Sequence, residues 1–211
     1  YGLSENALIC LYEDNRHTLW IGTDGGGLNA MNPRTKQFKH FTSKNTEKIT
    51  SITQFSPDKL LLSTFGEGLY TFNTRTHTFE PFLFINREIN DRTYRTGRNI
   101  YLHNASNNKI YFFSDSIYAY HTGEKKFHGI HYNTQPDKTV ITSSLNRFYS
   151  DRKKSYLFSI SNIFELDHEK DELTPVYYAK HPAIINSVCK DRMDRFWIGT
   201  NKGLICYNPA T

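Results

Sequence analysis

The stretch Leu19 to Leu28, LWIGTDGGGL, restricts the fold more than any other, because altered copies of it recur down the chain and it returns almost intact as FWIGTNKGL at Phe196 to Leu204. Aligned on Trp20, the equivalent positions are Leu61, Tyr111, Leu157 and Trp197, a period of roughly 40 to 50 residues. Each copy reads as four short segments. The first alternates sides, Leu8, Cys10 and Tyr12 against Ile9 and Leu11, closes on Asp14, and recurs at Ile49 to Phe55, Asn99 to Ala105, Leu145 to Asp151 and Ile185 to Asp191. Polar turns follow it, such as Asn15-Arg16-His17 and Ser56-Pro57-Asp58-Lys59. The second segment is the apolar anchor, closing on a small residue, Gly22, Ser63, Ser159 or Gly199, where neighbouring strands are expected to approach closely. Phe113 breaks that column, so the third copy is expected to pack differently. The third segment starts at Leu28, Leu69, Ile117, Ile163 or Leu204 and has a period of two. The fourth is Phe38-x-x-Phe41, with counterparts Phe79-x-x-Phe82, Phe127-x-x-Ile130 and Leu173-x-x-Val176.

Four antiparallel strands per unit at this period predict an all-β protein made of β-propeller blades; a right-handed solenoid is the geometric alternative, but its repeats are usually shorter or helical. The blades are expected at about 5-42, 48-83, 98-131, 143-177 and 184-211, the last incomplete, within a single domain over 1-211. Tyr1-Gly2-Leu3-Ser4 reads as the tail of a connection from an earlier blade, so the expectation is a segment of about five four-stranded blades cut from a larger propeller.

A chain of 211 residues can fold by burial alone, without disulfides or metals. Cys10, Cys189 and Cys206 cannot all pair and show no C-x-x-C spacing; each falls in an expected strand and reads as a small buried hydrophobe. No apolar run approaches the roughly 20 residues that cross a membrane and no signal peptide is seen, which fits a cytosolic chain, or a mature or excised segment, without membrane contact of its own. The formal charge of +5 is spread through turns rather than massed on one face, which argues against nucleic acid and leaves room for an acidic ligand.

The run GLSENALICLYEDNRHTLWIGTDGGGLNAMNPRTKQFKHF resembles the two-component regulator propeller repeat. Glu13-Asp14, Leu19 to Thr23 and Gly27-Leu28 carry the likeness in the first copy, and Trp197 to Thr200 with Gly203-Leu204 in the last; the third and fourth copies have degenerated. The resemblance implies a periplasmic sensor region of a hybrid two-component histidine kinase, of seven-bladed type, whose partners would be an oligosaccharide, the neighbouring blades of the parent chain and a second copy in a signalling dimer.

In a propeller the connections between strands two and three, and from strand four into the next blade, share the face around the channel mouth. Asp24-Gly25-Gly26-Gly27 lacks the Lys-Ser/Thr of a phosphate loop and precedes a strand, so a tight hairpin explains it. The connection Phe84 to Arg98 is the longest and gathers Arg87, Arg92, Tyr94, Arg95 and Arg98, where rings stack on sugar faces and guanidinium groups donate in pairs to hydroxyls or carboxylates. His131 and Tyr132, on the connection Ile130 to Ser143, are candidates of the same kind. Both connections also read as solvated loops or braces. The nine histidines show no H-E-x-x-H, and His128 and His131 lack helical spacing, so no metal site and no cofactor are expected. The charged turn Asp167-His168-Glu169 with Asp171-Glu172 reads as solvated. No catalytic constellation is seen. The expected function is ligand sensing by a non-enzymatic propeller; an interaction scaffold without its own ligand and a carbohydrate-active enzyme remain as alternatives.

Overall fold

The computed structural model describes residues 2–82, 100–105, 108–113, 117–132, 147–150, 154–179 and 183–210, and every regular element among them is a strand. The first sheet is β1 (Leu8–Glu13), β2 (Leu19–Thr23), β3 (Leu28–Met31) and β4 (Phe38–Phe41), antiparallel in chain order. The second is β5 (Ile49–Ser56), β6 (Lys59–Thr64), β7 (Leu69–Asn73) and β8 (Thr78–Pro81), and the third comprises β9 (Tyr101–Ala105), β10 (Lys109–Phe113), β11 (Ile117–His121) and β12 (Lys126–Gly129). The fourth contains β13 (His131–Tyr132), β14 (Arg147–Ser150), β15 (Ser155–Phe158), β16 (Asn162–Asp167) and β17 (Glu172–Tyr178); the fifth has β18 (Ile185–Lys190), β19 (Phe196–Thr200) and β20 (Gly203–Tyr207). These meanders are the blades of an all-β propeller segment. The addition not foreseen is β13, which pairs in parallel on the outer edge of β17, His131 opposite Glu172.

The chain divides into two compact units, Tyr1–Asn104 and Ala105–Thr211. In the first, the core lies between sheets: Trp20, Leu28 and Ala30 meet Ile49, Ile52, Leu60, Leu62 and Phe72. Trp20 and Phe72 pack edge to face at 5.6 Å, and each large side chain so buried contributes about 1.5–3 kcal/mol. The small-residue column works as its spacing implied. A Cβ on Gly22 would stand 2.5 Å from the Cys10 sulfur and 2.8 Å from the carbonyl oxygen of Ile49, so β2 tolerates no side chain where β5 crosses it. In the next sheet Ser63 occupies that place, and its hydroxyl donates to the Ile100 carbonyl at 2.6 Å.

In the second unit the core joins Tyr156, Phe158 and Ile163 to Ile185, Val188, Phe196 and Ile198. The Ile185 carbonyl, equivalent to that of Ile49, accepts from the Arg147 guanidinium at 2.8 Å. Phe113, the exception in the small column, is buried and lies 6.0 Å from the ring of Phe148, so an aromatic contact replaces the close approach of strands.

Acidic residues ending the first strands have a specific task. Asp14 accepts the Trp20 indole N–H at 2.8 Å and the backbone N–H groups of Arg16 and Thr18, closing the β1–β2 turn on the anchor tryptophan. Asp191 does the same for Trp197, Met193 and Arg195. The indole bond, with the Arg195 guanidinium beside it, holds the Asp191 carboxyl far below its usual range. The cysteine expectation holds for Cys10, whose thiol burial pushes up to about 12. Cys189 and Cys206 are exposed instead, because they flank Trp197 on the open face of the last sheet.

Candidate functional site

Arg87, Arg92, Tyr94, Arg95 and Arg98 lie outside the described residues. His131 and Tyr132 are not on a free connection: they form β13, and the His131 N–H donates to the Asp171 carbonyl at 2.8 Å. Backbone pairing therefore commits this pair to the outer edge of the fourth sheet, with the His131 side chain exposed.

Within the first unit, a cleft of about 810 Å³ opens between the β3–β4 turn and the β7–β8 turn. These turns are at the opposite end of their sheets from the glycine-rich hairpins. Both are shaped by an asparagine: Asn32 Oδ1 accepts from the N–H of Arg34 and Thr35, and Asn73 Oδ1 from Arg75 and Thr76. A left-handed residue then closes each turn, Lys36 at φ 59° and His77 at φ 60°. The cleft presents Lys36, Lys39, His40 and His77 beside Gln37 and Phe38, and no carboxylate among its lining. His40 is oriented by Nδ1, 2.6 Å from the Asn29 amide oxygen, and His77 rests on the ring of Phe41 at 4.9 Å. Cations, ring donors and an aromatic edge suit a hydroxyl-rich or anionic ligand. The basic residues of NPRTKQ and NTRTHT are legible in the sequence, but the cleft lies on the face opposite the one to which the sequence assigns the long connections.

In the second unit the turn read as solvated is a buried polar centre. Asp171, left-handed at φ 53° and 7% exposed, accepts from Lys109 Nζ at 3.0 Å, Tyr111 Oη at 2.7 Å and His121 Nε2 at 2.9 Å. Burial alone would raise its carboxyl, but the bonds from Tyr111, Lys109 and His121 outweigh that and lower it. Tyr111 is pushed far up by burial and then by this same carboxylate. Beyond His121, the β11–β12 hairpin brings Glu124 and His128 together with it, and the ligand atoms of the three lie within 4.8 Å of one another. This group was missed because His121 and His128 are seven apart in sequence. The register makes them neighbours: His121 faces Lys126 and Ala119 faces His128, so the two histidines are diagonal on one face.

The blades and their turns define a β-propeller segment. Residues 2–25 match the family model described as two component regulator propeller. No curated protein sequence matches the chain. Among solved structures it is similar to the extracellular domain of the putative hybrid two component system BT4673 from B. thetaiotaomicron, at 20% identity and TM-score 0.72, covering 99% of this chain and 27% of that one. The extracellular domain of the putative hybrid two component system BT3049 from B. thetaiotaomicron shows 16% identity and TM-score 0.66, covering 99% and 28%. YCF48 bound to D1 peptide shows 10% identity and TM-score 0.68, covering 100% and 68%. At these identities the likeness is one of fold, and the chain spans just over a quarter of the two extracellular domains. No helix among the described residues is long and apolar enough to cross a membrane.

Proposed function

We propose that this chain is part of the ligand-sensing ectodomain of a two-component sensor histidine kinase, that it works in the periplasm, and that it contributes to oligosaccharide recognition rather than to catalysis. The match of residues 2–25 to the two component regulator propeller repeat carries this reading, and the fold shared with extracellular domains of such systems supports it. The basic, carboxylate-free lining between the β3–β4 and β7–β8 turns favours a sugar bearing carboxylate or sulfate groups. Ligand would bias two arrangements of a dimer, and the chain itself would do no chemistry.

Calorimetry against neutral and acidic oligosaccharides, with product analysis of the same samples, tests this. Saturable binding without turnover is the expected result, weakened at least tenfold by joint replacement of Lys36 and Lys39 with Ala if the cleft is the site, or of Tyr94 and Arg95 if the long connection is. Turnover would overturn the sensing reading in favour of an enzyme. Silence across the panel from well-folded protein would favour the second reading, an interaction scaffold, for which the observation is that YCF48 bound to D1 peptide shares this fold.

A further inference from the structure

We propose that His121, Glu124 and His128 form a site for a late first-row divalent cation, Zn²⁺ foremost, with Asp171 as the residue that positions His121. The inference is independent of whether the chain senses a sugar.

The first observation is a departure from the repeat. The residue that ends or directly follows the third strand is Asn32, Asn73, Asp167 or Asn208 in the other blades; the side-chain oxygen accepts two backbone N–H groups of the turn in the first, second and fourth blades and one in the last. In the third blade that position is His121, whose ring nitrogens face Asp171 and Glu124 instead. The main-chain turn is nevertheless retained: Lys125 N donates to the His121 carbonyl at 2.8 Å, as Lys36 does to Asn32 and His77 to Asn73. The third blade therefore keeps the turn and gives up its side-chain cap. Two further substitutions accompany it, Glu124 where Thr35 and Thr76 stand, and His128 where Lys39 and Glu80 stand. Among the described residues, this is the group of three metal-ligating side chains whose ligand atoms all lie within 4.8 Å of one another.

The second observation is protonic. Asp171 is an ionised acceptor, already bonded by Lys109 and Tyr111, so the Nε2 of His121 that it meets must carry the hydrogen. In neutral imidazole the other nitrogen, Nδ1, is then a bare lone pair, and it lies 3.7 Å from Glu124 Oε1. His128 Nε2 lies 3.3 Å from Glu124 Oε2. The carboxylate facing the bare Nδ1 of His121 is repelled unless a proton or a cation sits between them, whereas His128 Nε2 can donate its hydrogen to Glu124, a bond that a metal ion would replace. Tetrahedral Zn²⁺ with bonds of about 2.0–2.1 Å sets its ligand atoms about 3.3 Å apart, so metal binding draws the three groups together from within 4.8 Å and turns one Glu124 oxygen toward both rings. A carboxylate donating no proton and accepting the outer N–H of a ligating histidine is the arrangement that fixes tautomer and ring direction at zinc sites. Two imidazoles and one carboxylate favour Zn²⁺, Co²⁺ or Ni²⁺ over Ca²⁺ and Mg²⁺, which take oxygen. The side chains of Glu124 and His128 are 58% and 42% exposed, leaving the fourth position to water and the site open to entry.

The test is calorimetric titration of ZnCl₂ into tag-free, EDTA-stripped protein, with CoCl₂ as an absorbing probe and CaCl₂ and MgCl₂ as controls. One Zn²⁺ per chain is expected, with a tetrahedral Co²⁺ spectrum and no response to Ca²⁺ or Mg²⁺. Glu124→Gln and His128→Ala, both at exposed positions, are expected to weaken binding at least tenfold while the melting temperature without metal stays within a degree or two. Asp171→Asn is expected to weaken it by about 10–100-fold and to alter the Co²⁺ spectrum, a readout that lost packing alone would not move. Absence of a saturable site, binding unaffected by Glu124→Gln and His128→Ala, or a preference for Ca²⁺ would each overturn the proposal.

Discussion

Gly22 and Gly199 hold the same position in LWIGT and FWIGT, yet alanine at the two sites is expected to have opposite effects. At Gly22 the new Cβ meets the Cys10 sulfur at 2.5 Å and both Cγ2 and the carbonyl oxygen of Ile49 at 2.8 Å, against an ordinary contact of 3.4–4 Å. The thiol can rotate, but the Ile49 carbonyl belongs to the start of β5 and moves only if the second sheet moves. Overpacking of this sort costs up to about 3 kcal/mol, offset by the 0.5–1 kcal/mol or so that alanine gains over glycine within a strand. A net loss of about 2 kcal/mol corresponds to roughly 4–8 °C for a chain of this size. At Gly199 the sole crowding atom is the Ser187 hydroxyl, and everything else stands at 3.8 Å or beyond. That hydroxyl turns away about χ1, so the outcome ranges from neutral to about 1 kcal/mol more stable. Urea unfolding followed by tryptophan fluorescence suits the comparison, because the chain has two tryptophans and each, Trp20 and Trp197, neighbours one of the glycines. Adding Cys10→Ala to Gly22→Ala should recover only part of the loss. Equal destabilisation by the two alanines, or a neutral Gly22→Ala, would refute the account of the small-residue column.

Asp14→Ala strands the buried Trp20 indole N–H and two turn amides, and should lower stability by about 3 kcal/mol in the same urea assay; Asp191→Ala, at a half-buried carboxylate, should lower it less. The folded carboxyl of Asp191 is depressed, so the stability it contributes is present above the usual value of 3.8 and lost as pH falls through its lower folded value. Melting temperatures of the native chain and Asp191→Asn should therefore differ at pH 7 and converge at the acid end. A thiol reagent at pH 8 should modify Cys189 and Cys206 promptly and Cys10 only on unfolding, since Cys10 is shielded and its thiol is held near 12; three fast thiols would contradict the placement of β1 against β5.

The blades were legible because each must satisfy the same local physics. The anchor run, the period-two columns and the polar turns fell where β1 to β12 and β14 to β20 stand, and the column of small residues foretold the approach of β2 to β5. What escaped was set by register or by another part of the chain. Asp171 looked like one more charge in a solvated turn, and nothing within DHEKDE reveals that Lys109, Tyr111 and His121 reach it from some fifty or sixty residues away. β13 escaped because two residues pairing in parallel carry no periodicity. The cleft between the β3–β4 and β7–β8 turns escaped because its lining is drawn from two repeats, each unremarkable alone.

The column of anchor residues explains why the departures matter. In the first and last blades the anchor is tryptophan, and its indole is satisfied inside the blade by Asp14 or Asp191. In the third blade the anchor is Tyr111, and Ala105 ends the preceding strand, so that partner is gone. The buried phenol must still donate its hydrogen, and it does so to Asp171 of the fourth blade, which in turn holds the tautomer of His121. Loss of a closure within one blade is thus made good by a bond to the next, and that bond orients the histidine at the head of the hairpin. If this coupling is right, Tyr111→Phe, which removes only the hydroxyl, should weaken Zn²⁺ binding less than Asp171→Asn but measurably. Altering Trp20 or Asp14, with His121 and its partners left in place, should leave Zn²⁺ affinity unchanged.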